Sequence, residues 1–183
     1  MALPQTATVV AVAADRGHNF SKPIQDEITL IAGLGVEGDA HAGVTVQHLF
    51  DKKRNPDAPN LRQVHFMHAE LFDELAALDI DVSAGQMGEN LVTRGVPLLD
   101  LPTGTRFQIG EAIIEITGLR NPCKKLNTIH PDLLKAVVEK RPDGSLNKKT
   151  GVMSIVIQGG KIMPGDIIHI TYPDGDPVPL ECV

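Results

Sequence analysis

The strongest chemical character in the sequence lies in the run Leu119-Arg120-Asn121-Pro122-Cys123-Lys124-Lys125, where one thiol is flanked by three cations. Nearby cations favour the thiolate, the form that attacks electrophiles, carries a sulfur atom or binds a soft metal. Pro122 stiffens the turn that presents the thiol. The alternative is a buried, inert cysteine acting as a small hydrophobe; the polar, cationic flanks weigh against it. Cys182, beside Glu181 in a proline-rich tail, lacks such a setting and reads as incidental.

Other segments offer weaker chemistry. The stretch from Gly33 to Gly43 holds four glycines besides Asp39 and His41. Glycines let a ligand approach the main chain closely, but the spacing is neither a dinucleotide nor a Walker pattern. Asp39 and His41 alternate and point the same way on extended backbone. Either they belong to a site, or Asp39 fixes the turn and His41 is a surface residue. In Gly85-Gln86-Met87-Gly88-Glu89-Asn90, Glu89 and Asn90 either orient a substrate or brace the adjacent loop, bracing being the commoner role. Seven histidines are present, but no HExxH or CxxC pair, so a zinc site has little support. Lys22, Arg62, Arg94, Arg120, Lys124 and Lys125 either converge on a phosphate or are solvated surface charges. A hydrolytic Cys123–His41 pair lacks a recognisable oxyanion arrangement.

The elements that must position these residues are mostly strands. Short runs rich in Val and Ile, bounded by Gly, Pro or Asp, fall at 8–14, 27–31, 62–67, 90–93, 106–109, 112–117, 153–157 and 167–172. Alternation along them predicts burial of Val10, Val12, Ile114, Ile116, Ile155, Ile157 and Ile168. Two helices stand out. One carries Leu71, Phe72, Leu75 and Leu78 on one face; the other opens at Pro131, carries Leu133, Leu134, Val137 and Val138, and ends before Pro142. About eight strands with two or more short helices predict a mainly β fold, a closed or nearly closed β-barrel. The polar stretch 43–61 reads as a mobile loop, either a lid over a site or a disordered insertion, 141–150 as a plain connector and 173–183 as a tail.

Composition sets the outer limits. At 183 residues the chain suits a single domain, 1–183, with a core of about 9–171. A net charge of -6 argues against nucleic acid as a partner. No apolar run approaches the roughly 20 residues of a membrane helix, and the N-terminal stretch lacks the basic start of a signal peptide, so a cytoplasmic protein with reduced thiols and no membrane partner is expected.

The order of motifs adds to these readings. Ser21-Lys22-Pro23, Gly38-Asp39-Ala40-His41, Arg62-Gln63-Val64, Gly88-Glu89-Asn90-Leu91, Asn121-Pro122-Cys123 and Pro164-Gly165-Asp166 follow one another as in the MOSC domain, which the chain resembles from about Val9 to Thr171. The resemblance implies a β-barrel and a bound molybdenum cofactor (molybdopterin). It implies that Cys123 carries sulfur, as in the sulfurase branch, or ligates molybdenum, as in the branch that reduces N-hydroxylated compounds. Lys22, Asp39, His41, Arg62, Glu89, Asn90, Arg120 and Asn121 become the expected cofactor contacts. The chain has no room for the pyridoxal-phosphate desulfurase domain of full-length sulfurases, so pyridoxal phosphate is not expected. A standalone unit would draw on a cysteine desulfurase or an electron-transfer protein as partner. A non-catalytic module that binds cofactor or another small ligand is the rival reading.

Overall fold

A computed structural model describes residues 6–183. Thirteen strands occur in it: β1 (Thr8–Ala13), β2 (Ile24–Gln25), β3 (Ile28–Ile31), β4 (Gly35–Val36), β5 (Val64–His68), β6 (Leu91–Arg94), β7 (Arg106–Ile109), β8 (Ala112–Leu119), β9 (Val138–Lys140), β10 (Leu146–Lys148), β11 (Val152–Gln158), β12 (Gly160–Ile162) and β13 (Ile168–Thr171). Three short helices accompany them: α1 (Leu49–Arg54), α2 (Ala69–Ala76) and α3 (Leu133–Ala136). The fold is mainly β, as the alternating apolar runs predict.

The central sheet has eight strands in the order β13-β7-β8-β11-β5-β6-β1-β2, flanked by a three-stranded sheet β12-β3-β4 and the hairpin β9-β10. Its backbone is β8, whose even residues Ala112, Ile114 and Ile116 are fully buried while the odd ones turn outward. Gly110, at φ 57°, opens the two-residue connection from β7, as the primed hairpin turns require. β5 and β6 run parallel, and α2 makes the crossover between them. Among the described residues no continuous ladder closes the sheet into a barrel. Its ends do approach: β1 and β13 meet at the bridge Thr8–Ile167, with Val9 N donating to Asp166 O (2.9 Å) and Ile168 N to Ala7 O (2.8 Å).

One apolar cluster, including Val12, Phe66, Phe107, Ile114, Ile116, Val156 and Ile168, fills the sheet interior. A second, with Met67, Leu71, Leu75, Ile80, Met87, Leu126, Leu133 and Val137, lies under α2 and α3. Four of the seven expected core residues are buried; Val10 (44% exposed) and Ile157 (41%) are not, and Ile155 is half-buried. A bulge between Val9 and Ala11 shifts the phase of β1 so that Val9 and Val12 face inward. In β11 Val152, Met153, Ser154 and Val156 are buried; the Ser154 hydroxyl is satisfied by Val64 O at 2.9 Å.

Both helices are shorter than expected. α2 stops at Ala76, and Asp79 takes a left-handed φ of 59° while Ile80 N bonds back to Leu75 O, so Ile80 enters the cluster and Leu78 is exposed. α3 keeps only 133–136, and Val138 begins the β9-β10 hairpin that occupies the expected connector. The stretch 43–61, expected as a loop, contains α1 and closes on itself. Val46 N donates to Ala58 O, Asn60 N to Val44 O, and the Asn60 amide to the carbonyls of His41 and Gly43. Among the described residues no helix is long and apolar enough to cross a membrane.

Candidate functional site

Where β8 ends, the chain passes along a cavity of about 820 Å³, which Arg120, Asn121 and Cys123 line, and then enters a 3-10 helix, Lys124–Thr128. Arg120 is anchored by its backbone: its N–H donates to Gly151 O (3.0 Å) and its carbonyl accepts the Thr150 hydroxyl (3.0 Å). Gly151 has φ 78° and packs against the Phe66 carbonyl with no room for a Cβ. The main chain therefore holds the Arg120 side chain, only 7% exposed, over the cavity.

Among the described residues six cations line this cavity, Lys22, Arg54, Arg62, Arg120, Lys124 and Lys125, and no Asp or Glu shares the wall, although the chain as a whole is acidic. Cys123, half-buried, lines the same space, as do His41, Asn90 and Asn121. Burial pushes the Arg120 guanidinium below its ordinary pKa; Cys123 and then Glu89 oppose that. Its Nη1 is enclosed without a hydrogen-bond partner, and its guanidinium carbon lies 5.6 Å from the Phe20 ring centroid. A buried guanidinium nitrogen lacking an acceptor marks a place where an anion fits.

Beneath the wall lies a braced carboxylate. Asp39, whose side chain is fully enclosed, accepts from Lys22 Nζ (2.7 Å) and Asn90 Nδ2 (3.0 Å) through Oδ2, and from His41 N (2.9 Å) through Oδ1, which also lies 3.2 Å from His41 Nδ1. Burial pushes the Asp39 carboxyl up, but the His41 hydrogen bond and the Lys22 charge outweigh it and hold it well below the usual range. Burial pushes Lys22 down, with Asp39 and Glu89 opposing. The ammonium of Lys22 faces the cavity already engaged. Asn90 also donates to Ala13 O (3.1 Å) and accepts from His65 N (3.2 Å), tying β1, β5 and the Asp39 loop together.

Asp39 and Glu89 thus sit behind the cavity wall rather than on it. Glu89 is buried, takes the Gly85 N–H on Oε1 and leaves Oε2 unpartnered; burial raises its pKa. Two further residues escaped the sequence reading. His65 is buried on the wall, with Nε2 2.8 Å from Thr150 O, and burial and then Arg120 drive its pKa well below the ordinary value. Cys182 is also on the wall. The segment carrying it pairs with the end of β8, with a parallel bridge Leu119–Cys182 and Leu119 N donating to Glu181 O (2.7 Å). The one available signal was Gly118, a glycine inside a strand, which is where another backbone comes close.

Among the described residues no group of three or more His, Cys, Asp or Glu is arranged to hold a metal ion. A soft metal at Cys123 would have to bring most of its ligands with it.

The sequence model of the MOSC domain matches residues 41–169. Protein YiiM of Escherichia coli (strain K12) is 32% identical over 160 residues, covering 86% of this chain and 65% of the relative, so the chain spans about two thirds of that protein's length. The YUAD protein of Bacillus subtilis shares the fold with a TM-score of 0.73 at 22% identity, over 92% of this chain and 98% of the other. YiiM of Geobacillus stearothermophilus superposes with a TM-score of 0.64 at 20% identity, over 91% and 75%.

Proposed function

Since the chain belongs to the MOSC domain family, we propose that its cavity receives the molybdenum cofactor or a ligand of the same anionic, phosphate-bearing kind, with the Cys123 sulfur as the reactive contact. The observation that carries this reading is the gathering of six cationic side chains around Cys123, with no Asp or Glu in the wall among the described residues, in an acidic chain. Such an enclosed positive wall concentrates an anion. At about 820 Å³ the space is within the range of cofactor pockets.

The residues present suit that group. Arg120 offers an enclosed, unpartnered Nη1 to a phosphate; Arg62, Lys124 and Lys125 add charge at the rim. His41 and Asn90, held by Asp39, keep the inner wall in place. Cys123 supplies the single soft donor, either to molybdenum or as bearer of a transferable sulfur. When bound, molybdenum would supply two-electron redox chemistry, for which N-hydroxylated compounds are the candidate substrates; the protein contributes position and electrostatics. A cysteine desulfurase or an electron-transfer protein would be the partner, in a cytoplasmic setting that keeps both thiols reduced.

The test is the molybdenum content and oxidised-pterin fluorescence of protein made in a host that produces the cofactor, for wild type and Arg120→Met. Wild type should carry both, and the variant should bind about tenfold less tightly or worse, the worth of a charge-assisted hydrogen bond. Wild type that contains neither and binds no added cofactor would overturn the reading. Turnover by loaded protein with an electron donor separates an enzyme from a passive binding module.

A further inference from the structure

The closing segment is built into the cavity rather than trailing from it. Thr103 N donates to Val178 O (2.8 Å), Leu180 packs on the sheet interior, and Val183 N returns to Leu119 O (3.2 Å). Gly118 lies against the Glu181 carbonyl and the Val183 side chain so closely that any Cβ there would collide with them. This arrangement lays Cys182 against Leu119, four residues before Cys123, and the two cysteines line one cavity.

Cys182 also has chemically suitable company. Lys148 Nζ, from β10, is 3.1 Å from its sulfur and 2.8 Å from Asn121 Oδ1; the Cys182 sulfur lies 3.7 Å from that same oxygen. Asn121 lies two residues from Cys123 in sequence and lines the same cavity. The ammonium of Lys148 stands where it pairs the negative charge of an attacking thiolate. Arg120, whose buried Nη1 has no hydrogen-bond partner, lines the same cavity and adds positive charge to it.

We propose that Cys182 is a second working thiol of this cavity, an acceptor that takes a sulfur atom from Cys123 by thiol–persulfide exchange. This rests on the sulfur-carrying branch of the proposed function. The Cys182 thiolate, its proton released to solvent, attacks the terminal sulfur of a Cys123 persulfide. A new S–S bond forms on Cys182, the Cys123 S–S bond breaks, and the electron pair leaves on Cys123 as thiolate. No net oxidation occurs, so no further redox partner is needed. Lys148 is a positioning residue that pairs the charge, first on Cys182 and then on its persulfide.

The test loads intact protein with a limiting amount of inorganic polysulfide and follows the added sulfur by peptide mass spectrometry after rapid trapping, in wild type, Cys123→Ser, Cys182→Ser and Lys148→Met. In wild type, sulfur should appear on Cys123 first and then on Cys182. Cys182 should load at least tenfold more slowly in Cys123→Ser, sulfur should stay on Cys123 in Cys182→Ser, and Lys148→Met should slow the second step while leaving the first unchanged. Equal loading of Cys182 with and without Cys123, or no loading of Cys182 while Cys123 loads, would overturn the relay alone. Failure of Cys123 itself to load in Cys182→Ser would overturn the sulfur-carrier reading and the relay with it.

Discussion

Lys22 Nζ lies 2.7 Å from Asp39 Oδ2, with the two side chains 3% and 0% exposed, so an ion pair sealed from water underlies the cationic wall. A cation expected to hold phosphate is thereby engaged with a carboxylate, and Arg120 becomes the enclosed cation with a nitrogen to offer. Asp39→Asn leaves the Lys22 ammonium buried without its charge partner. Loss of about 3–5 kcal/mol in urea unfolding is expected, the usual cost of breaking a buried pair from one side. Asp39→Asn combined with Lys22→Met should cost less than Asp39→Asn alone. A loss under about 1 kcal/mol for the single variant would mean that water reaches the pair.

Acidification should weaken the fold through His65. Its pKa in the fold lies well below the ordinary 6.5, because burial and then Arg120 disfavour the imidazolium. The unfolded chain therefore binds more protons in that window, and the stabilisation present above 6.5 is lost as pH falls toward the folded value. His68 acts in the same direction, and Glu89, raised by burial, in the opposite one. His65→Gln should show a smaller drop in urea midpoint between pH 7.5 and 5.5 than wild type; an unchanged drop would remove His65 from that role.

Gly118→Ala separates the closing segment from the sheet. The added methyl meets the Glu181 carbonyl, so the segment must shift or β8 must strain. A cost of about 1–3 kcal/mol is expected, together with faster alkylation of Cys182 as Lys148 and Asn121 lose their hold on it. Alkylation of Cys182 at the wild-type rate would mean that the segment docks without Gly118.

Cys123 was legible because its signal is local: three cations and a proline lie beside it in sequence. The convergence of Lys22, Arg62 and Arg120 was legible only from the order of motifs, because no spacing rule joins residues so far apart. Strand existence was legible from alternation, but phase was not where a bulge intervenes: Val9 replaced Val10 in the core. In β11 apolar residues at successive positions on either side of Ser154 hid which face is inward, and Ser154 is buried with its hydroxyl donated to Val64 O. The setting of Cys182 was not legible because it is made by distant residues. Lys148 lies on a hairpin in a stretch read as a connector, and Asn121 belongs to the neighbouring turn. Asp39 and Glu89 were expected as cofactor contacts; both lie behind the lining, a difference that depends on side-chain burial and cannot be read from spacing.

The most direct measurement is the activity of Cys123→Ser carrying bound cofactor or offered polysulfide, compared with wild type at matched fold stability. Replacing sulfur by oxygen conserves size at a strand exit but removes the soft donor and the readily ionised nucleophile. Sulfur loading and any molybdenum-dependent reduction should both fall to background while far-UV circular dichroism and the urea midpoint stay near those of wild type. Full activity in Cys123→Ser with cofactor bound would contradict the central role of this thiol and leave a passive binding module as the better description.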